Sequence, residues 1–75
     1  MSLGDLIREA RQKAFCTQEE FAGNLGVNLS TVNRWELNKT RPNMKAMKSL
    51  KTFCNENSIE YQEIEKEWLA ILRRK

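Results

Sequence analysis

Ser30, Asn33 and Arg34 are spaced so that, on a helix turning about 100° per residue, they share one face. Their side chains are three of the types that read base edges. A guanidinium fork fits guanine O6 and N7, a carboxamide fits adenine N6 and N7, and a hydroxyl serves several edges. Leu29 and Leu37 border the same face and offer only apolar contact, for example with a thymine methyl. Just downstream come Lys39, Thr40 and Arg41, followed by Lys45 and Lys48, groups suited to phosphates, which fix register without reading sequence. Gln18 stands at the first position of an upstream helix, where its side chain and unpaired N–H groups can reach a phosphate. Ordinary solvent-facing helix surfaces contain the same residue types, so the elements that carry these side chains must decide between the two readings.

Other chemistries are poorly provided for. The chain of 75 residues contains no histidine, which removes imidazole metal ligands, the commonest general base and the His-assisted hydrolase arrangements. Cys16 and Cys54 are too few and too far apart for a thiolate metal site; they read as two buried small hydrophobes, with a disulfide as the alternative. A single domain of this size leaves little room for an enzyme cleft and its walls. No enzyme, metal or cofactor is expected. No apolar run approaches the roughly 20 residues a bilayer span requires, so the expectation is a soluble, cytoplasmic chain with no membrane partner.

The net charge of +3 hides a polarised chain. From Arg34 to Lys51 six cations face one acid, Glu36, whereas from Glu56 to Glu67 five acids face Lys66 alone. A basic middle on a small domain suits a polyanionic partner.

The elements that must position these residues read as helices, since valine and isoleucine are sparse and no alternation of period two appears. Leu3, Leu6, Ile7, Ala10 and Ala14 form the stripe of helix 1, with Ser2 and Asp5 as its capping box. Thr17 and Glu20 form a second box, with Cys16 and Phe21 placed as a hydrophobic staple; helix 2 runs over Gln18–Leu25 and Gly26 stops it. Asn28 is placed to cap helix 3 two residues later, so the two helices meet at a steep angle. Helix 3 turns Val32 and Trp35 inward and ends near Leu37, with Asn38 in the left-handed position. A proline-closed loop follows, and Asn43 caps helix 4, whose stripe is Met44, Met47, Leu50, Phe53 and Cys54. Ser58 is expected to open helix 5, which runs to about Arg73 with the arc Tyr61, Ile64, Trp68, Ile71 and Leu72; Arg73, Arg74 and Lys75 suit its dipole.

The run Thr17-Gln18-Glu19-Glu20-Phe21-Ala22-Gly23-Asn24-Leu25-Gly26-Val27-Asn28-Leu29-Ser30-Thr31-Val32-Asn33-Arg34-Trp35-Glu36, closed by Asn38-Lys39-Thr40-Arg41-Pro42, resembles the phage repressor and Cro (XRE-type) helix-turn-helix family. The likeness extends from Leu3 to about Ile59. It implies an all-α, five-helix, lambda-repressor-like DNA-binding domain with the helix-turn-helix in helices 2 and 3. It implies base readout by Leu29, Ser30, Asn33 and Arg34 and a contact to backbone or base by Gln18; beside it, Asn28, Leu37, Lys39, Thr40, Arg41 and Lys45 are expected to contact the backbone. It also implies a bracing ion pair between Arg11 and Glu36. Leu29 departs from the polar reader common there, and Asn38 and Asn55 stand where relatives place glycine.

The expected function is sequence-specific binding of double-stranded DNA by a transcriptional regulator, a repressor of bacterial or phage origin, working beside the nucleoid. The expected organisation is one domain over residues 1–75, with four helices in 1–57 and a closing helix in 58–75. Tyr61, Ile64, Trp68, Ile71 and Leu72 exceed what closing so small a core needs, which suggests a homodimer on a pseudo-palindromic operator. Two alternatives stay open: the antitoxin half of a toxin-antitoxin pair, holding a toxin through the acidic or apolar tail, and a helical adaptor that bridges proteins without binding DNA.

Overall fold

Two reciprocal caps set the first two helices in the computed structural model, which describes residues 1–74. Ser2 Oγ accepts from the Asp5 N–H at 3.1 Å and the Asp5 carboxylate accepts from the Ser2 N–H at 3.2 Å, opening α1 (Leu3–Lys13). Thr17 and Glu20 repeat the arrangement at 3.1 and 2.9 Å and open α2 (Gln18–Leu25). Gly26, at φ 70°, ends α2 in the left-handed region, and α3 (Leu29–Glu36) starts three residues later. Asn28 has the extended backbone of a cap, but its side chain makes no cap hydrogen bond and stays exposed.

After α3, Asn38 takes φ 61° and the Lys39 N–H donates back to the Arg34 carbonyl at 2.9 Å. Asn43 Oδ1 then accepts from the Ala46 N–H at 2.8 Å and opens α4 (Met44–Glu56). Met44, expected inward, is 63% exposed, because the first residue of α4 lies beyond the edge of the core.

The start of helix 5 also differs from expectation. Ser58 adopts φ 56° and the Ile59 N–H donates to the Cys54 carbonyl at 2.8 Å, so Ser58 closes α4 and cannot also supply the extended backbone of a new cap. Asn55 accordingly stays inside α4, and α5 spans Gln62–Arg73. Lys75 lies outside the described residues.

The core gathers Ile7, Phe21, Val32, Leu50 and Cys54, all fully buried, with Phe21 set edge-on to Phe53 at 5.0 Å between ring centres. α3 packs on both α1 and α2, while α5 packs on α1. From α5, Ile64 and Trp68 complete the core; Trp68 Nε1 donates to the Pro42 carbonyl at 2.7 Å, and the Tyr61 hydroxyl donates to the Met47 carbonyl at 3.1 Å. Ile64 and Trp68 are thus interior groups rather than a surface for a second copy. Ile71 packs partly on the core and Leu72, 47% exposed, stands clear of it.

Neither cysteine is in a disulfide. Burial pushes the Cys54 thiol up to about 11, as befits a small interior hydrophobe. Cys16 is only half-buried, since it precedes the exposed start of α2; its thiol donates to the Ala14 carbonyl at 3.6 Å.

Candidate nucleic-acid interface

What aims α3 is its last residue. Glu36 is buried, 3% exposed, and a lone carboxylate there would be costly. Four donors answer it: Arg11 Nε at 2.7 Å, Arg11 Nη2 at 3.0 Å, Gln18 Nε2 at 3.0 Å and Arg8 Nε at 3.4 Å. Burial pushes the carboxyl up, but the hydrogen bonds from Arg11 and Gln18, with the charge of Arg11 and the bond from Arg8, outweigh it and hold Glu36 below the ordinary carboxylate value. Arg11 also donates to the Cys16 carbonyl at 3.0 Å, so one guanidinium ties α1, the entry to α2 and the end of α3 together.

A second fixture holds the same end. Asn38 Oδ1 accepts from the Gly4 N–H at 2.9 Å while its amide donates to Ser2 Oγ at 3.0 Å. Gly4 is required here by proximity rather than by dihedral freedom. A β-carbon on it would lie 2.5 Å from the Trp35 carbonyl oxygen and 2.7 Å from that of Glu36, both main-chain atoms that cannot swing aside.

With α3 clamped by Val32, Trp35 and Glu36, its other face is left to solvent. Leu29, Ser30, Asn33, Arg34 and Leu37 are all exposed there. Since Glu36 is the acid of α3 and is consumed inside, Arg34 is the ionised group on this outer face. Asn28 borders it at the start of the helix; Lys39, Thr40 and Arg41 continue it along the following loop, and Lys45 stands exposed in the first turn of α4. The residues marked for base readout, Leu29, Ser30, Asn33 and Arg34, thus lie exposed on α3, and those marked for backbone contact, Gln18 apart, are exposed at its two ends, in the loop after it or on α4.

Gln18 is half-buried, and one of the two N–H groups of its side-chain amide is engaged by Glu36. Its second amide N–H and its carbonyl oxygen are left over, and in the first turn of α2 the Glu20 N–H is taken by the Thr17 hydroxyl. Sequence reasoning did not find Arg8, whose Nη2 also donates to the Glu36 carbonyl at 3.2 Å; its signal was the three-residue offset from Arg11 on one helix face. Nor did it find Gly4 or Phe15. The latter follows α1 at φ 57° with 94% of its surface exposed, an L-residue in glycine's conformation that buries nothing.

Residues 7–61 match the family model described as helix-turn-helix, which takes in all of α2 and α3, their turn and the loop beyond. The chain belongs to the helix-turn-helix family of the Cro and phage-repressor type. Neither the curated proteins nor the solved structures yield a significant match. Membership makes this helix-turn-helix chain a DNA-binding domain of the transcription-regulator kind. The match ends where α5 is about to begin, so the closing helix of this family member lies outside the shared pattern.

Proposed function

We propose that the domain binds double-stranded DNA sequence-specifically, with α3 in the major groove, and represses transcription by occupying an operator. The observation that carries this reading is the outer face of α3: Ser30, Asn33 and Arg34 are exposed together, while the acid of that helix is turned inward and neutralised by Arg11 and Arg8. A helix so placed meets base edges without setting a carboxylate against the phosphates. In this arrangement Arg34 reads guanine, Asn33 reads adenine and Ser30 adjusts to either, while Leu29 lies against a thymine methyl. Lys39, Thr40, Arg41 and Lys45 hold the flanking backbone, with Asn28 and Leu37 at the two ends of the reading face.

The molecule measures 34 × 25 × 22 Å, and half-sites on one face of B-DNA repeat at about 34 Å. One copy carries one reading helix and so covers one half-site, which favours two copies on a pseudo-palindrome. Selection of bound duplexes from a random pool tests the proposal. Enrichment of a defined motif with inverted half-sites about one helical turn apart is the expected result; recovery of unenriched sequence would overturn it.

A further inference from the structure

The end of α5 comes to lie beside the loop that follows α3. A groove of about 380 Å³ is lined on one side by Lys39, Thr40 and Arg41 and on the other by Glu67, Ile71 and Arg74. The juxtaposition is fixed from within, because Trp68 Nε1 holds the Pro42 carbonyl at 2.7 Å and so ties α5 to the far end of that loop. Lys39, Arg41 and Arg74 are exposed, and among the described residues none of the three has a carboxylate within 4.0 Å. Three cations converging on one groove, with Glu67 the one acid lining it among the described residues, make a local field that an anion relieves. A hydroxyl donor, Thr40, stands among them.

We infer that this groove seats a phosphodiester of the DNA backbone, and that Arg74 at the end of α5 is a DNA-contacting residue alongside Lys39 and Arg41. The inference rests on the DNA-binding reading above and extends it to a helix outside the shared family pattern. The backbone strand that passes the α3–α4 loop continues across the groove onto α5, so the closing helix of the domain adds affinity as well as core. Glu67 limits that affinity, since its carboxylate faces the same phosphate.

The test is a salt titration of the full chain on a labelled random-sequence duplex, read by fluorescence anisotropy. The variants are Arg74→Gln, Arg74→Lys, Lys39→Gln, Glu67→Gln and, as a charge-matched control on the same helix but outside the groove, Lys66→Gln. Loss of one phosphate contact lowers the slope of log affinity against log salt by about 0.9, so across a fourfold rise in salt Arg74→Gln loses about 3.5-fold less affinity than the parent. Arg74→Lys keeps the slope, Glu67→Gln tightens binding and Lys66→Gln leaves the slope unchanged. If Lys39→Gln lowers the slope and Arg74→Gln does not, the inference fails while the DNA-binding reading stands. If neither changes it, both fail. Equal effects of Arg74→Gln and Lys66→Gln would also overturn the inference, by reducing it to net charge.

Discussion

Replacing Glu36 with glutamine tests how the reading helix is held. The carboxylate is 3% exposed and accepts from Arg11 twice, at 2.7 and 3.0 Å, from Gln18 at 3.0 Å and from Arg8 at 3.4 Å. A carboxamide of the same shape keeps one acceptor oxygen but turns an NH₂ toward donors, and it leaves the Arg11 guanidinium, 14% exposed, without its counter-charge. Breaking a buried pair from one side costs about 3–5 kcal/mol. A domain of this length has on the order of 4–11 kcal/mol in all, so Glu36→Gln should remove a large share of the total. Urea unfolding followed by tryptophan fluorescence measures it. The pH dependence supplies a second check. Because the folded carboxyl sits below its unfolded value, its contribution is present above the unfolded value and is lost as pH falls through the folded one; Glu36→Gln lacks that part of the acid loss. A cost below about 1 kcal/mol at neutral pH, or an acid profile parallel to that of the parent, would refute the view that this buried pair anchors α3.

Three further changes test other parts of the account. Gly4→Ala would stabilise α1 by about 1 kcal/mol on helix propensity alone, but the new β-carbon would meet two main-chain oxygens at 2.5 and 2.7 Å, so a net loss of about 1–3 kcal/mol is expected in urea unfolding; a gain would show that α1 and α3 can part without cost. Phe15→Gly should raise stability by about 0.5–1 kcal/mol, since relief of a left-handed L-residue exceeds the added freedom of the unfolded chain and no buried surface is lost; a lower melting temperature would contradict this. Burial pushes Cys54 up to about 11, and burial with the nearby Glu65 and Cys54 pushes Tyr61 up to about 12, so both hold their protons in the folded state after the unfolded chain has lost them. Their contribution is present below the ordinary thiol and phenol values and is lost as pH rises through about 9 to 12, and Tyr61→Phe should flatten that alkaline decline; an unchanged decline would place its cause elsewhere.

What could be read from the sequence was what local chemistry decides. The Ser2–Asp5 and Thr17–Glu20 boxes, the Gly26 stop and the Asn43 cap set their helix ends through neighbours within a few residues, and all appear where expected. The outward face of α3 followed from the positions of Val32 and Trp35 on a regular helix, both of which are buried. Ser58 misled because serine serves both as a cap and, less commonly, in the left-handed position; only the Ile59 bond to Cys54 separates the two uses. The sequence likewise gives no sign that Gly4 faces two carbonyls of α3, that the Gln18 amide turns onto Glu36, or that α5 meets the loop at Pro42, because each depends on how distant segments pack. For the same reason the apolar arc of α5 looked like spare surface when Ile64 and Trp68 are needed inside.

On the proposed function, α3 reads bases while the loop after it holds phosphates. The most direct measurement compares Arg34→Ala and Lys39→Ala on a selected duplex, on single-base variants of it and on random DNA across a salt series. Arg34→Ala is expected to lose about 1–3 kcal/mol at one base position and to relax preference there, while Lys39→Ala weakens every sequence alike and lowers the salt slope by about one. Equal losses from both substitutions on selected and random DNA would contradict it.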